Sequence, residues 1–88
     1  MYITRFTVEG SGPFPLDMLR YDQCYPATQQ AVDQILVSMD ETRIIGERRQ
    51  IELFVPHPIR QHHKLTPERW ESFGWTIVDS LEPVPVTR

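Results

Sequence analysis

Three histidines and one cysteine are the side chains that could hold a metal ion in this chain: His57, His62, His63 and Cys24. A structural zinc site needs four ligands that converge in a tetrahedron, usually from CxxC or HxxxH spacings. The chain has neither spacing. The adjacent His62 and His63 would also point apart on a strand or a helix. The sequence therefore predicts no metal site and no cofactor.

The serines and the single cysteine are the candidate nucleophiles of the chain. A catalytic nucleophile needs a base held beside it, but no serine lies in a GxSxG motif and Cys24 has no histidine in its own segment. The carboxylates are spread along the chain without a clear pair. A chain of 88 residues also encloses little of a water-excluded pocket. These residues favour a binding protein over an enzyme.

Gly10, Ser11 and Gly12 form the segment best suited to hold an anion. Glycine adopts turn conformations without steric cost, and successive backbone N–H groups in a turn can bind a phosphate or carboxylate. Neither GxGxxG nor GxxxxGK[ST] is present. One interpretation is a small anionic ligand such as a nucleotide, bound by a monomer or a homodimer. The other is a structural loop in which Phe14 caps the core and Pro15 opens a short helical turn with its leucines facing inward.

The segment 43–69 is basic, although the whole chain has a net charge of −3. Its cationic side chains could follow a phosphate backbone, and Trp70 or Trp75 could stack on bases. A sequence pI near 5.5 and the lack of a nucleic-acid-binding motif argue against this function. The same arginines could instead pair with the acidic N-terminal half. Nucleic-acid binding is the first alternative to protein binding.

Rigid aromatic and proline-rich segments favour a surface that binds another protein. Aromatic residues and arginine are enriched where interfaces concentrate their binding energy. We expect the contact surface to comprise the loops 11–25 and 57–64. The predicted partner-binding residues are Phe14, Tyr21, Tyr25, Arg48, Arg49, Arg60, His62, His63 and Lys64.

Alternating apolar and polar residues predict the strands of the fold. Such alternation covers residues 2–8, with the Phe6 side toward the core, and again covers 43–55 before two prolines end the strand. A last strand is predicted to begin at Trp75. The sequence therefore predicts a sheet of about three strands.

Two helices are predicted beside this sheet. Three- and four-residue apolar spacing predicts the main helix over 27–39. A Thr-Pro-Glu start with Gly74 as a stop predicts a short helix over 67–73. The expected order is β-loop-α-β-α-β in a two-layer α+β sandwich. We expect one domain over 1–82, followed by an extended proline-rich tail over 83–88.

The chain carries no signal for a membrane. No apolar run approaches the about 18 residues that a spanning helix needs. The first ten residues, MYITRFTVEG, lack the charged-then-apolar pattern of a secretory signal. We therefore expect a cytoplasmic protein with no membrane partner.

Two stretches, VEGSGPFPLDMLRYDQCYP and TPERWESFGW, resemble small uncharacterised proteins encoded by tailed bacteriophages. No activity or site is attached to such proteins, so the resemblance implies only a setting. It implies expression in the cytoplasm of a bacterial cell and binding to a host protein.

Overall fold

The computed structural model describes residues 1–39, 48–58 and 65–86. These residues form a five-stranded antiparallel sheet and three helices, in the sheet order β2-β3-β1-β4 with β5 also beside β1. The predicted compact α+β class is confirmed. The elements are β1 (Tyr2–Gly10), α1 (Asp17–Tyr21), β2 (Tyr25–Pro26), α2 (Gln29–Ser38), β3 (Arg49–His57), α3 (Pro67–Ser72), β4 (Trp75–Ser80) and β5 (Val84–Pro85).

Strand β1 is the centre of the sheet because three other strands pair with it. β3 follows its whole length, from Tyr2 opposite His57 to Gly10 opposite Arg49. β4 and β5 share its other edge, with β4 beside its C-terminal half and β5 beside its first residues. Every second residue of β1 from Thr4 onward is buried, as the alternation predicts.

The sheet has two more strands than the predicted three, and each of them is only two residues long. β2 lies in the segment predicted as a loop, and β5 lies in the predicted tail. Both contain a proline, which sheets tolerate at their edges. Two residues carry no alternation, so pairing with β3 and β1 decides these strands. β3 also continues through Pro56 to His57, beyond the predicted end of the strand.

Some predictions concern residues 40–47, 59–64 and 87–88, which lie outside the described residues. One is the start of the strand predicted over 43–55. The others are the predicted binding residues Arg60, His62, His63 and Lys64.

Helix α2 begins later than predicted because Thr28 is its N-cap. Thr28 has an extended backbone with φ of −138°, and its hydroxyl accepts a hydrogen bond from the Ala31 N–H at 3.0 Å. Ala31 and Ile35 are buried in the core, whereas Leu36 and Met39 are exposed. The buried face of α2 is therefore narrower than the apolar spacing predicts.

Helix α1 turns Met18, rather than Leu16, toward the core. Met18 is completely buried and Leu16 is exposed. The Asp22 carboxylate at the end of α1 joins this helix to α3. It accepts hydrogen bonds from the Thr66 hydroxyl at 2.7 Å and from the Trp70 indole N–H at 2.9 Å.

The short helix α3 has the predicted start and stop. Pro67 is its first residue, and Gly74 follows it with φ of +84°, in the left-handed region that favours glycine. The helix ends at Ser72, one residue before the predicted end, and Phe73 is its C-cap.

Aromatic side chains dominate the core between the sheet and the helices. Trp70 of α3 and Trp75 of β4 are both fully buried. Phe14 lies between them, with its ring centroid 5.7 Å from each. Gly10 lies directly against Trp75, so that a Cβ at position 10 would be 2.7 Å from two atoms of the indole.

Candidate protein-binding surface

The sheet has one face that none of the described helices covers, which we call the open face. Helices α1, α2 and α3 contribute their buried apolar residues to the core on the other face. The strand register and the burial pattern put four β1 side chains on the open face: Ile3, Arg5, Thr7 and Glu9. Their neighbours on other strands divide this face into an apolar half and a polar half.

The apolar half lies where β2 and β5 join the sheet, and it comprises Tyr25, Phe54, Ile3, Pro56 and Val84. Tyr25 is opposite Phe54, with 5.8 Å between their ring centroids. Ile3 is opposite both Pro56 and Val84. Tyr25 is 50% exposed and Val84 is 52% exposed. This half therefore presents apolar side chains to solvent from paired strands.

The polar half is held by charged pairs. Arg5 contacts the Glu52 carboxylate at 3.2 Å, and Arg48 contacts the Glu9 carboxylate at 2.8 Å. Gln50 donates a further hydrogen bond to Glu9 at 3.3 Å. The hydrogen bond from Arg48, and then the one from Gln50, holds the pKa of Glu9 below its usual value. Exposed ion pairs of this kind contribute little to folding, so their charges can serve recognition at small cost.

Arg5 stands between two hollows on the open face. The hollow in the apolar half has a volume of about 170 Å³ and is lined by Ile3, Arg5, Ala27 and Phe54. The other has a volume of about 260 Å³ and is lined by Arg5, Phe6, Thr7, Glu52, Asp79 and Leu81. A side chain entering the first hollow would meet apolar groups and one guanidinium, which suits contact with a protein surface.

Two of the predicted partner-binding residues lie on the open face, Tyr25 in its apolar half and Arg48 in its polar half. Tyr21 lies elsewhere, on α1, where it is exposed and the Arg69 guanidinium lies 5.0 Å from its ring centroid. Phe14 is 4% exposed between the two tryptophans, so it is part of the core. That position agrees with the structural-loop interpretation and leaves its ring no surface to offer a partner.

Arg49 is turned toward the core side of the sheet. Its guanidinium donates to the Ser38 hydroxyl at 2.9 Å and to the Gly12 carbonyl at 2.6 Å. It also lies over the Trp75 ring, 5.5 Å from the centroid. Arg49 therefore ties the loop after β1 to α2. Because Arg48 and Arg49 serve opposite sides of the sheet, they do not form one basic stripe.

The Gly-Ser-Gly segment is used by the fold itself. Gly10 belongs to β1, where it is opposite Arg49 and Trp75, and its contact with Trp75 requires a glycine. Ser11 and Gly12 are half-buried, and the Gly12 carbonyl accepts the Arg49 hydrogen bond. Packing explains Gly10 without a ligand, and anion binding by this segment stays a prediction.

His57 and Cys24 are both buried. The His57 Nε2 atom lies 2.9 Å from the Thr4 hydroxyl, and its ring stacks on Tyr2 with centroids 6.2 Å apart. Burial raises the pKa of the Cys24 thiol to about 12, and the Asp22 carboxylate adds to that effect. Within residues 1–39, 48–58 and 65–86, no three His, Cys, Asp or Glu side chains are grouped so that they could hold a metal ion.

A groove of about 590 Å³ lies apart from the open face and includes part of the predicted contact loop 11–25. Leu16, Met39 and Phe73 are its exposed apolar residues. Neither Tyr21 nor Tyr25 lines it. The lining residues are Pro13, Phe14, Pro15, Leu16, Asp17, Ser38, Met39 and Phe73.

Four residues of the apolar half are absent from the predicted site: Ile3, Phe54, Pro56 and Val84. The alternation of β3 already places Phe54 on the face opposite Leu53, and that signal is sufficient to find it. What the sequence lacks is a sign that no described helix covers this face.

No protein-family model matches this chain, and comparisons with curated proteins and with solved structures likewise give no match. None of the described helices is long and apolar enough to cross a membrane. What the protein binds is therefore inferred from its surface chemistry.

Proposed function

We propose that this protein is a non-enzymatic binding domain that contacts another protein through the open face of its sheet. Side chains held on paired strands are preorganised, so that little conformational freedom is lost on binding. The charged pairs of the polar half would set the orientation of the partner and disfavour others. The resemblance to small phage-encoded proteins favours a host protein in the bacterial cytoplasm as the partner.

The pairing of Tyr25 with Phe54 on the open face is the observation that carries this proposal. Single exposed apolar residues are ordinary on protein surfaces, whereas contiguous ones mark interaction sites. Here an exposed aromatic pair continues into Ile3 and Val84, beside a hollow of about 170 Å³. Aromatic residues that border a pocket are typical anchors of protein interfaces.

A pull-down from bacterial lysate tests the proposal. Tagged protein is incubated with lysate, with and without nuclease, and is washed at low and at high salt. Capture through the apolar half should survive both treatments, because salt screens charges but does not weaken apolar burial. Mass spectrometry then identifies the captured protein.

Paired substitutions locate the contact. Tyr25→Ala together with Phe54→Ala removes the aromatic pair and should abolish capture. Tyr21→Ala is the matched control, because this tyrosine is also exposed but lies on α1. Capture that persists in the double variant, or that is lost equally in the control, would contradict binding through the open face. Thermal melts verify that each variant is folded.

A charge reversal tests the polar half. Arg48→Glu should weaken capture most strongly at low salt, because it replaces the cation beside Glu9 with a second carboxylate. Arg49 is unsuitable for the same test because its guanidinium is bonded to Ser38 and Gly12 inside the fold. Equal capture by Arg48→Glu at all salt concentrations would remove the polar half from the interface.

Two alternatives are decided by the same pull-down. Material that is lost to nuclease and falls steeply with salt would favour nucleic acid bound by segment 43–69. An empty column would favour a small anion at Gly10 to Gly12. Nucleic acid has weaker support than protein, because Trp70 and Trp75 are both buried and offer no ring for base stacking.

A further inference from the structure

Strand β4 is an edge of the sheet along its whole length. β1 pairs with one side of it, α3 packs against it, and no described strand pairs with its outer side. The Ser80 backbone N–H is bonded to the neighbouring Asp79 carboxylate at 2.9 Å rather than to another strand. An edge of this kind presents unpaired main-chain groups to any strand that can approach.

The two edges of the sheet differ in how they resist such pairing. The edge at β2 is a strand of only two residues, one of which is Pro26. Short edge strands, prolines and basic residues all discourage the addition of a strand. β4 has six residues, WTIVDS, with no proline and no basic side chain. Pairing is therefore discouraged at β2 and open at β4.

Exposed apolar side chains are placed symmetrically along β4. Val78 within the strand is 46% exposed and Leu81 just after it is 53% exposed. Phe73, two residues before the strand begins, is exposed as well. Apolar groups at the middle and at both ends are what an antiparallel pair of identical strands would bury.

We propose that two copies of this chain pair through β4, antiparallel, about a two-fold axis that passes between Ile77 and Val78. The two sheets then form one continuous sheet. In this register Asp79, the only charged residue of β4, lies opposite Thr76 of the second copy instead of facing the second Asp79. Phe73 of each copy comes to the end of the strand pair where the other copy has Leu81. The strand is thus complementary to itself in charge and in apolar placement.

Sedimentation velocity from micromolar to submillimolar concentration tests this dimer. The measured mass should approach twice the 10.4 kDa of one chain. Val78→Lys should return it to one chain, because a lysine beside the axis meets its own copy and blocks edge pairing. Leu36→Lys is the matched control: it makes the same kind of change at a residue of α2 that is 57% exposed, and it should leave the dimer intact.

Crosslinking keeps the test decisive if Val78→Lys does not fold. Val78→Cys should give a covalent dimer with a short bismaleimide, and Leu36→Cys should not, because buried Cys24 does not compete. The open-face variant Tyr25→Ala/Phe54→Ala should dimerise normally. A wild-type mass of one chain at every concentration, a dimer that survives Val78→Lys, or equal crosslinking of both cysteine variants would overturn pairing through β4.

Discussion

Gly10 is the position where the backbone of β1 meets the Trp75 ring. Gly10→Ala should lower the free energy of unfolding by about 1–3 kcal/mol, as insertion of a methyl group into a packed core does. Gly12→Ala should be close to neutral, because a Cβ there has open space around it. Urea unfolding measures both. Equal costs at the two positions would mean that the contact with Trp75 is not what requires a glycine.

The Cys24 thiol is the second residue whose surroundings decide its chemistry. Its pKa of about 12 keeps it protonated at neutral pH, and the thiolate is the reactive form. A thiol reagent such as DTNB at pH 8 should therefore react very slowly with the folded protein and rapidly in urea. The colour released with time measures this difference. Fast reaction of the folded protein would contradict the burial of Cys24.

Glu9 reports the ion pair of the polar half. Its lowered pKa means that the folded state favours the carboxylate. This contribution to stability is present above the unfolded pKa and is lost as the pH falls through the folded value. Arg48→Gln removes the largest cause of the shift and should raise the pKa of Glu9 toward its usual value. Carboxyl chemical shifts followed by NMR during acid titration measure it, and an unchanged pKa would mean that Arg48 does not pair with Glu9 in solution.

At the scale of elements, Asp22 is the link that positions α3. Asp22→Ala leaves the buried indole N–H of Trp70 without its acceptor, which should cost about 1–3 kcal/mol of unfolding free energy. Asp22→Asn retains one oxygen and should cost less. Asp17→Ala, an exposed acid of α1, is the control and should be nearly silent. If Asp22→Ala proves as mild as Asp17→Ala in urea unfolding, the link does not stabilise α3.

The elements that the sequence predicts are those with room for a period. β1, β3 and α2 each span nine or ten residues, enough for alternation or helical spacing to appear, and α3 has strong start and stop residues. β2 and β5 have two residues each, so only the strand beside them decides their conformation. The same limit applies to the binding surface. Alternation sorts Phe54 and Leu53 onto different faces, but it does not say which face the helices cover.

At the scale of the whole molecule, β5 decides where the domain ends. The sequence predicts a free tail over 83–88, whereas Val84 pairs with Ile3 and the Val86 N–H donates to the Met1 carbonyl at 2.8 Å. Truncation after Glu82 removes these bonds and should lower the free energy of unfolding by about 1–2 kcal/mol without unfolding the protein. Thermal or urea unfolding measures the loss. No change would return 83–88 to the status of a tail.

Pairing through β4 would also change what a partner meets. A two-fold axis perpendicular to the sheet keeps both sets of helices on one side, so the two open faces lie side by side on the other. Two linked contact surfaces bind a divalent or repetitive partner more tightly than either surface alone. We therefore expect a stronger effect of the open-face substitutions on capture by the dimer than on capture by the Val78→Lys protein.

The central place of β1 has a consequence for the birth of the protein. During translation β1 leaves the ribosome before every strand that pairs with it, since β3, β4 and β5 all follow it in the chain. Its Phe6 and Val8 must therefore wait, unpaired and wet, until at least residues 49–57 have emerged. A sheet assembled from such distant segments closes slowly. The nascent chain is thus a natural client for chaperones that hold exposed strands apart.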